Sequence, residues 1–467
     1  MTTRRTFVKS LGAAGLAALA APSLRVLGAE NAEKLKPRAD AMIFLFMAGG
    51  MASTETFDPK HYEPFTPGVD ARKVLSTFPA IDTSADHIKI SAGLEHVAKV
   101  MNECCLIRTM QAASLGKILH SRHQFHLHTG YVPPVSVPAP HLGAWIARTL
   151  GPRNPDVPAF IDIAEPLQAG ESEVVKAYLT SGFLGSEYGP FRVPFPATAA
   201  KDIKAKMSDE RLQSRMARYR ELVKASPAAD LTSSYQQESL MRSMENAYRL
   251  LKSPAAVAID LSLEKKEVYD NYNTGDFGLG CLMARRLVEA GARFIEVHVN
   301  YVPFGHWDTH DNGHTKNIVT KQLIDRPIAQ LITDLKERGL LDRTMVVLAS
   351  EFSRDPLVEG KPDALVEKQA VTPAKMAEML NYGMHAHFCS AGTVAIWGGG
   401  FKRGHIHGVT ADEHPCTTIK DPVTIEDLHA TLYTAMGISP KHSYDFEQRP
   451  FYTTKDGKGK AVTSLFA

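Results

Sequence analysis

Residues 293–314 read RFIEVHVNYVPFGHWDTHDNGH, and this stretch decides the fold class. Residues 293–299 form a nearly continuous apolar run, which is typical of a strand that is buried on both faces of its sheet. The ten residues from Gly305 to His314 then contain three histidines and two aspartates. The pattern therefore predicts a core strand whose carboxyl end carries a polar, chemically active loop.

The same alternation of apolar runs and amphipathic segments extends over most of the chain. Predicted strands cover residues 41–47, 105–108, 159–163, 293–299, 344–349 and 393–397, and predicted helices cover residues 93–102, 201–224, 235–251, 277–290, 320–338 and 424–436. Alternating strands and helices of this kind predict an α/β fold with a doubly wound, mostly parallel sheet. Charged helices at about 200–265 interrupt the alternation, and we interpret them as a helical insertion.

The amino terminus has the features of an export signal. Arg4 and Arg5 precede a short apolar run from Leu11 to Ala21, which is too short to span a bilayer as a mature helix. We expect residues 1–29 to be a twin-arginine signal peptide and residues 30–467 to be the folded domain. The alternative is an ordinary buried helix at the amino terminus. With the signal, the protein would be exported to the periplasm or cell envelope.

Composition excludes several classes of partner. The net charge is +2, from 53 basic and 51 acidic residues, so there is no basic face that would predict nucleic-acid binding. No segment after the signal resembles a membrane span. We expect the five cysteines to be small core residues rather than a disulfide framework. These are Cys104, Cys105, Cys281, Cys389 and Cys416.

Polar segments follow four of the predicted strands. In an open parallel sheet, ligands bind beyond the carboxyl ends of the strands, so these segments are expected to lie on one rim. They read AGGMASTETFDPKH after residue 47, NYVPFGHWDTHDNGH after residue 299, SEFSRDP after residue 349 and GGGFKRGHIHG after residue 397.

Histidine and carboxylate residues in these segments are candidate metal ligands. Imidazole nitrogen and carboxylate oxygen suit zinc and other first-row metals. We predict Asp308, His310, His314 and His387 as ligands; the alternative is a solvated loop in which Asp308 caps a helix. In MHAHF, residues His385 and His387 alternate along an extended segment, so only one of them should face the site.

Two further residues are candidates for catalysis. Glu351 directly follows a predicted buried strand, where it could be a metal ligand, a general base or the ion-pair partner of Arg354. His120 begins the run HSRHQFHLHTGY and shares a helical face with His123. We interpret the later histidines of this run as packing residues.

In order along the chain, these segments resemble the alkaline phosphatase and sulfatase superfamily. The nearer resemblance is to an exported bacterial family within it, the domain of unknown function numbered fifteen hundred and one. It is carried by FGLGCLMARRLVEAGARFIEV (277–297), HWDTH (306–310), VLASEFSRDP (347–356), GGGFKRGHIHG (398–408) and VTIEDLHATLYTAMGISP (423–440).

The resemblance implies a doubly wound fold with its site at the strand ends, but several catalytic positions differ from the superfamily pattern. Gly49 and Gly50 stand where the pattern has an acidic residue after the first strand, and His120 stands at the position of its nucleophile. Glu351 replaces the aspartate of an Asp-His pair. The expected spacing after Asp308 ends on Asn312, and His387 matches a final histidine, so His387 stays a candidate ligand.

The resemblance therefore implies a degenerate site that keeps the ligands of one divalent metal, zinc-like or calcium-like. The expected activity is single-metal hydrolysis of a sulfate or phosphate ester of a small molecule or glycan, with Glu351 or His120 as the base or as a further ligand. A second reading is a catalytically inactive periplasmic binding or assembly module on the same fold. A third uses Ser53, Thr54 or Ser121 as a displaced nucleophile.

Overall fold

The structure, a computed structural model, describes residues 35–116, 118–133, 137–163, 180–203, 208–226, 233–363, 366–369, 371–446 and 449–467. The predicted signal peptide at 1–29 lies outside the described residues.

A nine-stranded sheet forms the centre of the molecule. Its strands are β1 (Ala41–Met47), β2 (Cys104–Gln111), β3 (Phe160–Ile163), β4 (Phe191–Val193), β5 (Phe294–Val299), β6 (Thr344–Ala349), β7 (Gly392–Gly398), β8 (His405–His407) and β9 (Val423–Thr424). All six predicted strands are present, and β1 and β6 have the predicted bounds. Continuous burial along β1 and β6 explains why these two strands are almost entirely apolar rather than apolar at alternate positions.

The strand order is β8-β2-β7-β6-β1-β5-β3-β4, with β9 paired to β2. β1 runs parallel to both β5 and β6, and Met47 lies opposite Val299 while Phe46 lies opposite Ala349. The carboxyl ends of these three central strands are therefore level with one another. The predicted doubly wound, mostly parallel sheet is confirmed.

Only β7, among the strands of this sheet, runs antiparallel to both of its neighbours. Gly398 at its carboxyl end lies beside Met345, near the start of β6. The segment GGGFKRGHIHG thus leaves the sheet at the edge opposite the carboxyl ends of β1, β5 and β6. The prediction that this segment joins the shared rim is wrong, because it assumed a parallel β7. The residues that precede β7 reach the rim instead.

Helices cover both faces of the sheet. They are α1 (Glu95–Ala98), α2 (His120–Thr129), α3 (Leu142–Leu150), α4 (Ala199–Ile203), α5 (Asp209–Lys224), α6 (Ser234–Lys252), α7 (Lys266–Tyr272), α8 (Asp276–Ala290), α9 (Gly313–Glu337) and α10 (Ile425–Ala435). Met42, Phe44 and Phe46 of β1 face the core that α2, α3 and α10 share, whereas the alternating residues face the core under α8 and α9. Helices α4 to α6 lie in the region that was predicted as a helical insertion, at about 200–265.

Close packing of α8 on β5 explains the glycines in FGLGCLMARR. A Cβ atom on Gly280 would lie 2.7 Å from Cγ1 of Val297, so a larger residue would push the helix off the strand. The helix ends at Gly291, whose φ of 99° is a left-handed conformation that favours glycine. This helix therefore fixes β5 and the loop that follows it.

Short antiparallel strand pairs lie outside the main sheet. The pair Ser353–Asp355 and Ala386–Phe388 matters most, because it follows β6 and precedes β7 at the rim. Val69–Asp70 pairs with Lys375–Met376, Ala80–Asp82 with Lys89–Ser91, Val409–Thr410 with Thr418–Lys420, and Ser443–Phe446 with Arg449–Tyr452. Within the described residues, no helix is both long enough and apolar enough to cross a bilayer.

We predict that the native protein does not react with a thiol reagent, because all five cysteines are free and buried. Burial raises the pKa of Cys105, Cys389 and Cys416 to about 12, which keeps them in the unreactive thiol form. An aromatic disulfide reagent should label no cysteine in buffer and all five in guanidinium without reductant. Fewer than five labelled cysteines in guanidinium would reveal a disulfide and contradict the structure.

Candidate metal centre

Four side chains from three separate segments meet at the carboxyl ends of β1, β5 and β6. His120 begins α2, Asp308 and His310 lie in the loop after β5, and His387 lies in the short strand Ala386–Phe388. Oδ1 of Asp308 is 3.2 Å from Nε2 of His120 and 3.0 Å from Nε2 of His310. Nε2 of His387 is 3.0 Å from Nε2 of His120. The four atoms lie within 4.8 Å of one another, and we call these residues the rim cluster.

Gly49 allows the loop after β1 to approach the rim cluster. Its φ is 118°, and a Cβ atom there would lie 2.7 Å from the backbone nitrogen of Asp308. Any other residue would therefore be strained and would collide with the backbone of the loop after β5. Gly49 thus has a steric function at this position.

Two glutamates orient the histidines of the rim cluster. Nδ1 of His120 is 2.8 Å from Oε1 of Glu351, and Nδ1 of His387 is 2.6 Å from Oε1 of Glu359. Where the glutamate is ionised it only accepts a hydrogen bond, so Nδ1 of the histidine carries a proton and Nε2 is left to bind a proton or a cation. The two Nε2 atoms are 3.0 Å apart, and Nε2 of His120 is also 3.2 Å from Oδ1 of Asp308 and 3.3 Å from Nη2 of Arg354. The close approach of the two rings therefore needs a positive charge at Nε2 of His120, either a proton or a metal ion.

The carboxylate of Asp308 is held in its charged form. Burial raises its pKa, but the hydrogen bonds from His120 and His310 and the guanidinium of Arg354 outweigh burial, so that the pKa lies far below its ordinary value. Its second oxygen, Oδ2, accepts a hydrogen bond of 2.8 Å from the backbone N–H of Phe304. The rim cluster therefore has a permanent negative charge at its centre.

The two facing histidines have opposite tendencies to bind a proton. Burial lowers the pKa of His387 well below its ordinary value, and His120 and Arg354 lower it further. Burial also lowers the pKa of His120, but Asp308 and Glu351 outweigh it and raise the pKa overall. When no ion is bound, the extra proton thus belongs on His120, and a metal ion would displace it.

Arg354 links the rim cluster to the loop after β1. Its side chain is fully buried and donates hydrogen bonds to the carbonyl oxygens of Gly49 at 2.6 Å, Gly50 at 3.1 Å and His385 at 2.9 Å. It also donates to Oδ1 of Asp308 at 2.6 Å. The guanidinium is therefore a fixed positive charge beside the aspartate.

Glu351 does not pair with Arg354, which was one of the predicted alternatives. Its carboxylate accepts hydrogen bonds from the backbone N–H of Gly49 at 3.0 Å and from Nε2 of Gln124 at 3.2 Å, besides that of His120. Burial raises its pKa, whereas the contacts with His120 and Gly49 lower it more. Glu351 is therefore an ionised residue that positions His120.

His314 is not part of the rim cluster, so the prediction of His314 as a metal ligand needs correction. Nδ1 of His314 is 3.0 Å from Oγ1 of Thr77, and its ring stacks on Phe78 with the ring centroids 4.4 Å apart. The physical reason is that α9 begins at Gly313, earlier than the predicted residue 320, and this turns His314 away. His120, and not His314, is the fourth residue of the rim cluster.

The other histidines of these motifs bond to backbone or to distant acids. Both ring nitrogens of His385 contact carbonyl oxygens, as do both of His123, so His387 alone of the MHAHF pair faces the cluster. Among the described residues, no serine or threonine hydroxyl is hydrogen-bonded to the rim cluster. Ser53 and Thr54 instead line a small cavity next to Arg354.

A second group of buried ionisable side chains, which the sequence analysis did not predict, lies between β5, α2 and the start of α3. Nε2 of His128 is 2.9 Å from Oε1 of Glu296, and Nε2 of His141 is 3.0 Å from Oε2. Nδ1 of His141 accepts the backbone N–H of Gly143 at 2.9 Å, so its proton must be on Nε2. His128 donates through Nδ1 to the carbonyl of Gln124. Both rings therefore face the carboxylate of Glu296 through Nε2, and we interpret the group as a buried ion pair.

Fold and site together define an α/β protein with a three-histidine, one-aspartate cluster at the carboxyl ends of its central strands. A family model described as "Protein of unknown function (DUF1501)" matches residues 39–466, and the chain belongs to that family. No protein with a curated description matches the chain.

Several solved structures show a distant overall similarity. Alkaline phosphatase PafA, in a mutant form, is 8% identical with a TM-score of 0.42, and the match covers 92% of this chain and 100% of that one. A protein in the alkaline phosphatase superfamily from Vibrio parahaemolyticus is 11% identical with a TM-score of 0.35, covering 98% and 79%. The PsFucS1 sulfatase from Pseudoalteromonas sp. is 12% identical with a TM-score of 0.35, covering 86% and 68%.

We predict that Glu296→Gln lowers the free energy of unfolding by about 3–5 kcal/mol, because it removes one charge from a fully buried ion pair. Urea unfolding of the variant measures this loss. Glu289→Gln is the matched control, since Glu289 forms partly exposed pairs with Arg285 and Arg338 and should cost less than about 1 kcal/mol. Equal effects of the two substitutions would contradict the assignment of a buried ion pair.

Proposed function

We propose that the rim cluster binds one divalent metal ion of the zinc class and that the loaded site hydrolyses a sulfate or phosphate ester. The observation that carries this proposal is the convergence of three imidazole nitrogens and one carboxylate oxygen within 4.8 Å of one another. These donors suit zinc, whereas calcium prefers oxygen ligands alone. Three of the separations between the donor atoms are 3.0 to 3.2 Å, close to the edge of a zinc tetrahedron, about 3.3 Å.

The residues around the cluster support this use. A bound ion would supply Lewis-acid chemistry by polarising an ester oxygen or a water molecule. Glu351 and Glu359 hold two of the ligand rings in the required tautomer, and Arg354 fixes the aspartate. Because no serine or threonine hydroxyl of the described residues bonds to the cluster, the proposed reaction transfers the sulfuryl or phosphoryl group directly to water and releases the alcohol, without a covalent enzyme intermediate.

A second candidate function is a binding or assembly module that holds a metal but catalyses nothing. The observation that favours it is the number of protein donors. Four side chains can fill all positions of a tetrahedral zinc ion, as in structural zinc sites, whereas catalytic sites keep one position open. Both candidate functions include a metal ion at the rim cluster, and only the first includes catalytic turnover.

Both also include export by the twin-arginine route, which carries folded proteins.

We expect about one zinc ion per purified chain, and we expect Asp308→Ala and His387→Ala to lose it, since each removes one donor. Elemental analysis after dialysis measures the content, and His314→Ala is the matched control that should keep the ion. Wild-type protein without metal after reconstitution would refute the site.

A panel of aryl sulfates and phosphates then separates the two candidate functions. Hydrolysis that Asp308→Ala abolishes supports the enzyme, and metal without hydrolysis supports the binding module.

Glu359→Gln should weaken zinc affinity by about 10- to 100-fold, because the carboxylate holds His387 in the tautomer that binds metal. Burial raises the pKa of Glu359 to about 7, so the loss should be largest above neutral pH, where the wild-type carboxylate is charged. Competition with a chromophoric chelator measures the affinity. Glu378→Gln, at an exposed position, is the control. An unchanged affinity of the Glu359 variant would contradict the positioning role.

A further inference from the structure

We propose that Phe304 forms a ring-binding subsite beside the rim cluster, and that the preferred ligands are sulfate or phosphate esters whose alcohol part is a ring rather than an acyclic chain. This inference rests on the proposed function, since it names the class of substrate for the same site. Three independent features of the loop after β5 carry it: the exposure of the Phe304 ring, its distance from His310 and its backbone conformation.

Phe304 is an exposed aromatic residue at a buried site. Its exposed fraction is 64%, and its ring centroid is 5.3 Å from that of His310, at an interplanar angle of 58°. Burial of an aromatic ring is favourable, so the exposed ring beside the polar ligands offers a contact to a molecule that reaches them. The exposed face is available to a bound molecule.

A molecule would reach the rim cluster from the side on which Phe304 lies. The exposed fractions of the side chains are 11% for His310, 6% for His120, 3% for Asp308 and 0% for His387. His310 is thus the most open of the four, and Phe304 lies against it. A molecule that reaches the cluster past His310 therefore meets the ring of Phe304.

The backbone holds Phe304 in this exposed position. Its φ of 60° is a left-handed conformation that is rare for a bulky residue, and its N–H donates to Oδ2 of Asp308. His306 and Asn312 of the same loop also have positive φ values, of 48° and 51°. Strained residues of this kind are concentrated at functional sites. The hydrogen bond from its N–H thus fixes the backbone of Phe304 beside the rim cluster.

A second aromatic ring lines the cluster. Tyr301 lies in the same loop, and its ring centroid is 4.8 Å from that of His120. A ring-shaped alcohol group can stack on Phe304 while the charged ester group lies at the cluster. An acyclic chain presents no flat face to the phenylalanine ring, so it gains less from the contact.

The test uses zinc-loaded full-length protein and two inert sulfonates with the same number of carbon atoms, benzenesulfonate and hexane-1-sulfonate. Titration calorimetry of the wild type should give a dissociation constant about three- to tenfold lower for the ring compound. Phe304→Asn removes the ring, but asparagine tolerates the left-handed conformation and keeps the N–H that bonds to Asp308. It should abolish the preference, whereas Phe304→Tyr should retain it.

His306→Asn is the matched control, because it changes a left-handed residue of the same loop without touching the proposed subsite, and it should leave the preference unchanged. Equal affinities of the wild type for both sulfonates, a preference that survives in Phe304→Asn, or no binding of either compound would overturn the inference. Its failure is distinguishable from that of the proposed function. Metal content and ester turnover decide the proposed function, and ring preference decides the role of Phe304.

Discussion

The rest of the site depends on the tautomers of two imidazole rings. Glu351 and Glu359 each accept a hydrogen bond from Nδ1 of one histidine, and this turns the Nε2 atoms of His120 and His387 toward each other at 3.0 Å. Such a contact needs a positive charge beside it. A proton on His120 and the guanidinium of Arg354, 3.3 Å from the same nitrogen, supply this charge when no ion is bound, and the proposed metal ion would replace the proton.

The fold creates this constraint through strand direction. β1, β5 and β6 end level with one another, which places the loop containing Asp308 beside the residues that follow β6. Because β7 is antiparallel, the chain that enters it passes the same edge and carries His387 there. His120, the first residue of α2, lies at the same edge of the sheet. Four segments distant in sequence therefore meet at one point, and Gly49 leaves the space for them.

The sequence predicted the strands and the layers, and it placed three of the four residues of the rim cluster among the candidate ligands, because these features depend on local patterns. A buried strand followed by histidine and aspartate is visible in one segment, as for Asp308 and His310. His314 was predicted as a ligand but lies outside the cluster, because the start of α9, which turns it away, depends on tertiary contacts. Glu359 was missed because no strand precedes it. The polar side chain of Glu296 within an apolar strand was a signal that could have revealed the buried ion pair.

The central claim is that the four atoms of the rim cluster share one metal ion. Anomalous diffraction at the zinc absorption edge, from crystals of the zinc-loaded protein, tests it most directly. The account predicts a single strong peak bounded by His120, Asp308, His310 and His387, and no peak beside Glu296. Absence of a peak at the rim cluster, or a peak beside Glu296 instead, would contradict it.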